Sequence, residues 1–191
     1  NITAKALTVS GITALNKGYD GNSTATLNTS SISYGGLVSG DTLTGTYSGV
    51  FDNANAGTGK TVTITSSYGG ADVNNYTITD QASTTADVTA KALTATASAS
   101  NKVYDSSDTA TTTLTLSGFI GTETVTSTNS STFNNKNVGT GKTVTVNSIT
   151  LTDGTGLASN YSISPGQTTT ANVTAKALTV SGITASNKTY D

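Results

Sequence analysis

The stretch Thr89-Ala-Lys-Ala-Leu-Thr94, running on to Asn101-Lys-Val-Tyr-Asp105, decides how this chain is built. The same words stand at Thr3-Ala-Lys-Ala-Leu-Thr8 with Asn16-Lys-Gly-Tyr-Asp20, and again at Thr174-Ala-Lys-Ala-Leu-Thr179 with Asn187-Lys-Thr-Tyr-Asp191. Lys5, Lys91 and Lys176 lie 86 and 85 residues apart, and Tyr19, Tyr104 and Tyr190 lie 85 and 86 apart. A period of that length marks an array of domain-sized modules. The expected division is a first β-repeat module over residues 1–90, a second over 91–175, and the start of a third over 176–191.

Within the repeated stretch the apolar positions change parity. Val88, Ala90 and Ala92 are even, whereas Leu93, Ala95, Ala97 and Ala99 are odd. Strand side chains alternate faces, so a parity switch means that the chain changes the side it buries. One extended segment is therefore expected to close the core of one module and open the core of the next. A second switch, at Gly11 and Gly182, comes with one extra residue relative to the middle copy. An extra residue, a glycine and a phase slip predict β-bulges near Ser10-Gly11 and Ser181-Gly182, and none over Thr94–Ala99. The overhang Lys176–Asp191 is expected to dock through Leu178 and Val180.

Outward from there, period-two alternation recurs and helical spacing is nearly absent. In the first module the spacing predicts strands over Lys5–Val9, Thr24–Asn28, Ile32–Tyr34, Thr42–Ser48, Lys60–Ser66, Asn75–Thr79 and Thr85–Ala90. Turn signals separate them, among them Asp20-Gly21, Gly35-Gly36 and Gly69-Gly70. Gly36–Lys60 aligns without a gap on Gly118–Lys142, which puts Phe51 on Phe133 and Asp41 on Glu123. The length differences fall in predicted turns. About seven short strands per module read as an all-β fold: two tandem Ig-like β-sandwich modules arranged end to end. The alternative is β-grasp-like modules with a short helical turn near Gly36–Asp41.

Composition narrows the function. Of 191 residues, 9 are basic (all Lys) and 11 acidic, with no His, no Cys and a net charge of −2. That balance gives no basic footprint for nucleic acid or for an anionic membrane. No apolar run approaches the ~20 residues that span a bilayer. Without His or Cys, the ordinary catalytic triad, thiol nucleophile and imidazole-bound metal are unavailable. A carboxylate pair is not repeated either, since Asp52 is matched by Asn134 and Asp72 has no acidic counterpart. The expectation is no enzyme, with no catalytic, cofactor-binding or metal-ligating residues and no cofactor.

Several motifs weigh toward structure. Gly57-Thr-Gly-Lys60 and Gly139-Thr-Gly-Lys142 lack the upstream phosphate-loop glycine, holding Ala54 and Lys136 there, and lead into strands; a hairpin turn is expected. Tyr19-Asp20 and Tyr104-Asp105 read as a ring packed on the core with its hydroxyl on a buried backbone group, followed by a turn-starting Asp. The Thr-x-Thr runs, such as Thr61-Val-Thr-Ile-Thr65, read as solvent faces of strands, with surface or ice binding as the alternative. Lys17/Lys102, Lys60/Lys142 and Asp41/Glu123 recur in register and read as surface ion pairs, with a Lys–Asn/Asp cross-link as the sharper reading. Calcium at Asp20 or Asp87 lacks the ~6–8 clustered oxygen ligands it prefers.

Asn-Lys-x-Tyr-Asp-(Gly), Val/Ala-Gly-Thr-Gly-Lys-Thr-Val-Thr, Asn-Tyr-Thr/Ser-Ile and Ala-Asp/Asn-Val-Thr-Ala-Lys-Ala-Leu-Thr, in that order twice, resemble the YDG-type repeats of bacterial surface adhesins and filamentous-haemagglutinin-like exoproteins. The namesake glycine stands as Gly21 but is Ser106 in the second copy. The resemblance implies a secreted, bacterial cell-surface location and a structural stalk that projects a distal binding domain, its partners being adjacent repeats. A chain that opens and closes within a repeat reads as a piece of a longer exported array. The alternative function is an adhesive module that contacts a glycan, matrix protein, ice or a sister stalk through loops Asn28–Gly36 and Ile149–Ser159.

Overall fold

A computed structural model describes residues Asn1–Asp191. The first repeat contributes strands β1 (Lys5–Ser10), β2 (Thr13–Ala14), β3 (Lys17–Gly18), β4 (Thr24–Ala25), β5 (Leu27–Asn28), β6 (Ser33–Gly35), β7 (Thr44–Phe51), β8 (Gly57–Gly69), β9 (Tyr76–Thr79) and β10 (Ser83–Thr89). The second contributes β11 (Lys91–Ala92), β12 (Thr94–Ala99), β13 (Lys102–Val103), β14 (Thr109–Ala110), β15 (Thr112–Ser117), β16 (Val125–Phe133), β17 (Gly139–Asp153), β18 (Tyr161–Ser162) and β19 (Thr168–Thr174). The fold is all-β, sandwich-like and two-module. The only helical turns are 3₁₀ pieces at Val73–Asn75 and Ala158–Asn160, and Gly36–Asp41 is a plain turn.

Two compact units divide the chain. The first comprises Asn1–Leu93, Gly118–Thr126 and Leu151–Ile163; the second comprises Thr94–Ser117, Ser127–Thr150 and Ser164–Asp191.

In the first unit a five-stranded sheet, β3-β10-β8-β7-β4, faces a smaller one, β6-β1-β9. β8 shows why it forms: Val62 and Ile64 are buried while Thr61, Thr63 and Thr65 face solvent, the alternation that β-branched residues support. β1 is the middle strand of the small sheet, and it buries Leu7 and Val9 against Ile64 and Tyr76. Its two neighbours run in opposite senses. β6 is antiparallel, whereas β9 is parallel with Lys5 opposite Tyr76 and Leu7 opposite Ile78. β3 and β10 form a second parallel pair. A purely antiparallel Ig sandwich contains neither.

The second unit repeats the larger sheet as β13-β19-β17-β16-β14 and pairs β12 with β15. Its core gathers Phe133, Val144, Ala171 and Val173. Where the first repeat has Leu7, Val9 and Ile12, the second has Leu93, Ala95 and Ala97, which fill less space.

The parity switch is realised as two strands rather than one. Val88 is buried in β10, Ala90 stands between strands, and Leu93 is buried beyond β11 with its N–H on Ser162 O (2.8 Å). At Gly11, pairing breaks more widely than a one-residue bulge. Ser10 faces Ser33, the ladder stops, and it resumes with Thr13 facing Asn28 on a different strand. Gly11 takes φ 86°, and a Cβ there would lie 2.1 Å from Ser31 O. β12 runs unbroken from Thr94 to Ala99 against β15, as expected where no glycine intervenes. Gly182 has φ 75° but lies outside any strand, so the bulge expected there has no ladder to interrupt.

The docked overhang is not found. Residues 175–191 form no strand, and Leu178, Val180 and Ile183 are exposed. Their counterparts Leu7, Val9 and Ile12 are fully buried because β6, β9 and β5 flank them; the overhang has no such neighbours.

Candidate functional site

The repeated Asn-Lys-x-Tyr-Asp word is a staple that fastens β3 to β10. Asn16 Oδ1 accepts the Asp87 N–H (2.8 Å), and the Tyr19 N–H donates to Thr89 O (2.8 Å). Lys17 Nζ donates to the carbonyls of Asn22 and Thr24, pairs with Asp20 (2.7 Å), and lies over the Phe51 ring. Asp20 also accepts the Asn22 N–H (3.0 Å), so it starts the turn its position predicts. The second copy repeats this through Asn101, Lys102, Tyr104 and Asp105.

Gly57-Thr-Gly-Lys60 is a bulge inside β8, not a hairpin turn. Ala86 faces Lys60 and Val88 faces Gly57, so two residues oppose Asp87 alone. Gly59 supplies the left-handed φ of 58°, and its N–H donates to Asp87 Oδ1 (2.7 Å). In the second copy the Gly141 N–H donates to Asn172 Oδ1 (2.7 Å). The amide that a phosphate loop would aim at an anion is therefore held by the protein itself.

The recurring charges divide into two kinds. Lys60 pairs with Asp52 (2.8 Å) and touches Asn53 Oδ1 (2.7 Å). Lys142, which has Asn134 where Lys60 has Asp52, instead donates to the carbonyls of Asn135 and Asn137 and to Asn135 Oδ1. Asp41 and Glu123 join no ion pair. Both accept from tyrosines instead.

That acid–tyrosine cluster is the most elaborate polar site in the molecule, and it lies wholly within the first unit. Glu123 Oε1 accepts the Tyr19 hydroxyl (2.7 Å) and Oε2 accepts the Tyr161 hydroxyl (2.6 Å). Tyr161 in turn accepts the Ile120 N–H (3.1 Å). The Tyr19 and Tyr161 rings meet edge to face at 5.5 Å, and Phe119 adds a second such contact at 5.5 Å. Beside them Asn160, 2% exposed, accepts the Ala56 N–H (2.8 Å) and donates to Asn55 Oδ1 (3.1 Å). Burial, reinforced by the Glu123 carboxylate, pushes the Tyr19 hydroxyl up to about 12. The sequence places this hydroxyl on a backbone group; it is the carboxylate, 104 residues away, that takes it.

A second arrangement escaped the sequence reading. At the Gly11 break, Gln81 grips both backbone groups of Ile12: its Oε1 accepts the N–H (2.9 Å) and its Nε2 donates to the carbonyl (2.6 Å). In the second copy the glutamine stands one place along, Gln167 O accepting from Val146 as Ala82 O accepts from Ile64, and its buried Oε1 has no partner. The missing glycine in the second copy was the available signal.

The variable loops are shorter than expected. Ser33–Gly35 and Ile149–Asp153 are strand, which leaves Thr29–Ile32 and Gly154–Leu157 as irregular connections. The Thr-x-Thr runs face solvent at Thr42, Thr44 and Thr46 and at Thr61, Thr63 and Thr65. This arrangement can hold backbone to backbone and repeat to repeat.

Comparison with known protein families finds the YDG domain twice, over residues 3–86 and 89–171. No curated protein and no solved structure matches the chain.

Proposed function

This chain belongs to the YDG domain family, and we propose that its repeats are a structural spacer in a large exported bacterial adhesin, projecting a distal binding domain from the cell surface. The observation that carries the reading is the Glu123 cluster. Tyr19 and the Asn55–Ala56 turn of the first repeat are hydrogen-bonded to Glu123 and Asn160 of the second. The repeats are also joined through a single unpaired residue, Ala90, rather than a Gly/Pro-rich linker. A polar clamp between successive repeats, with no flexible linker between them, suits an array in which each repeat supports its neighbour. In this reading the partners are adjacent repeats, and the chain carries no catalysis of its own.

Small-angle scattering tests it. The wild type is expected to fit one narrow distance distribution, and Glu123→Ala to broaden it. A wild-type profile that requires freely pivoting modules sinks the proposal. So does reproducible binding of glycans or matrix proteins by this chain alone, which would make it an adhesive module.

A further inference from the structure

The second unit carries an open strand. β15 pairs with β12 in unbroken register, from Thr94 opposite Ser117 to Ala99 opposite Thr112, and with no other strand. β12 also packs beside β19. Just before β15, Thr111 O accepts the Ser100 N–H (3.0 Å), so the odd-numbered residues that follow bond toward β12. Thr112, Leu114 and Leu116 therefore aim their N–H and C=O groups away from it. The Asn129 amide covers only the first of them, donating to Thr112 O (3.4 Å).

Exposed edges invite pairing with another chain, and proteins blunt them with short strands, Lys, Pro or bulges. The larger sheets here end on short strands: β3, β4, β13 and β14 hold two residues each, β6 three and β9 four. β15 holds six, Thr112-Thr-Leu-Thr-Leu-Ser117, without a charge, a proline or a glycine. In the first repeat the corresponding chain is split into β5 and β6. There Tyr34, the counterpart of Leu116, meets Tyr47, the counterpart of Asn129, hydroxyl to hydroxyl (3.0 Å). Leu116 and Asn129 cannot form that bridge, and Leu114 and Leu116 stay only half-buried. A two-stranded ribbon is marginal in water and gains from further strands.

We infer that β15 is a pairing edge for β15 of a second copy of this chain, antiparallel about a two-fold axis at Leu114. The strand's own pattern selects that occupant. With Leu114 facing its equivalent, Thr112 faces the second copy's Leu116 on the inner side, and Thr113 faces the second copy's Thr115 on the wet side. No cross-strand pair sets like charges together, and threonine meets threonine where hydroxyls can bond. Thr112, Leu114 and Leu116 fall in hydrogen-bonded pairs, and Thr113 and Thr115 in the closer pairs between them. Two ribbons become one four-stranded sheet in which neither β15 is an edge. The same surface is used on both sides, so the contact closes at a dimer. One six-residue strand pair stays below the ~1,000 Å² of a stable interface, giving a dissociation constant of about 0.1–1 mM. The pairing holds whether or not the repeats are a spacer.

Sedimentation velocity of the full chain, from about 10 μM to about 2 mM, tests it around the expected constant. Wild type is expected to pass from monomer to dimer and no further. Charge reads the register. Thr113→Lys with Thr115→Glu places an opposite pair at both Thr113–Thr115 contacts and is expected to tighten the dimer about fivefold. Thr113→Lys with Thr115→Lys sets like charges there and is expected to weaken it about fivefold. Both positions are exposed and face only Ser98 and Thr96 within the chain, so the melting temperature of the dilute monomer is expected to stay unchanged in both variants. Amide hydrogen exchange reads the backbone, with protection of the Leu114 and Leu116 N–H groups expected to rise with concentration. A wild type that stays monomeric throughout overturns the inference, even if the edge then captures an extended peptide of another sequence. So does association that grows past dimer, that ignores both charge pairs, or that leaves Leu114 and Leu116 unprotected.

Discussion

Truncating Glu123 to alanine leaves two tyrosine hydroxyls, both on buried rings, without their acceptor. Hydrogen bonds to a charged group are worth about 1.5–3 kcal/mol each, so the pair sets a ceiling of roughly 3–6 kcal/mol. Glu123 is half-buried, and water reaching the emptied position recovers part of that. We expect a loss of about 2–3 kcal/mol, or about 4–12 °C in melting temperature for a chain of this length. Asp41→Ala is the internal control, since Asp41 holds one hydroxyl where Glu123 holds two. It should cost about half as much on the same reasoning. Thermal unfolding followed by near-ultraviolet circular dichroism reads both, because the edge-to-face rings Tyr19, Tyr161 and Phe119 report on the same cluster. The double variant Tyr19→Phe with Glu123→Ala should be clearly less destabilised than the two single effects added. Equal losses at Asp41 and Glu123, or strict additivity in the cycle, would refute the two-hydroxyl clamp.

Other substitutions separate features that the repeats do not share. Gln81→Ala should cost about 1–2 kcal/mol by stripping both backbone groups of Ile12, while Gln167→Leu should be neutral or stabilising because it removes a buried oxygen without a partner; chemical denaturation distinguishes them. Gly11→Ala should cost about 2 kcal/mol or more, because its Cβ would overlap Ser31 O, whereas Gly182, also at positive φ, lies in the exposed overhang outside any strand, where the backbone can relax, so Gly182→Ala should barely move the same transition. Ser106 is the one non-glycine residue with positive φ, at 68°. Restoring glycine there should raise stability by about 0.5 kcal/mol, the left-handed strain relieved less the added freedom of the unfolded chain. For pH, Tyr19 keeps its proton in the folded state up to about 12 against 10.0 unfolded, so stability should decline as pH rises from about 10 toward 12. Asp105 is lowered to about 2 by the Lys102 ammonium and the Ser107 N–H, so its contribution, complete above its ordinary pKa, should fade as pH falls through about 4 toward 2. Fluorescence melts across both ranges read these slopes, and flat profiles would discard the assignments.

The sequence by itself determined where the longer strands lie and which face of each is dry, whereas the two-residue strands β2 and β3 exist only through their pairing with β5 and β10. Alternation such as Val62/Ile64 against Thr61/Thr63/Thr65 is a local property of the chain, so six of the seven strands expected in the first repeat lie where it places them, and Thr24–Asn28 divides into two short pieces. The parity change around Ala92 and Leu93, and the break at Gly11, were legible for the same reason: each is a change of phase within a dozen residues. Periodicity names a face but never a neighbour. Only the tertiary structure decided that β1 runs parallel to β9 and β3 parallel to β10, and so turned Asn-Lys-x-Tyr-Asp into a staple. Only it brought Tyr19 to Glu123 and Asn55 to Asn160, across 104 and 105 residues. Asp41 and Glu123 recur in the sequence as acids among lysines, and charge alone suggested ion pairs. Their partners are tyrosine hydroxyls because chain packing, not sequence spacing, decides which donors reach a half-buried carboxylate. The same distinction explains the overhang. Leu178 and Val180 carry the pattern of a core strand, but a pattern becomes a strand only where flanking strands complete its hydrogen bonds, and none lies beside them.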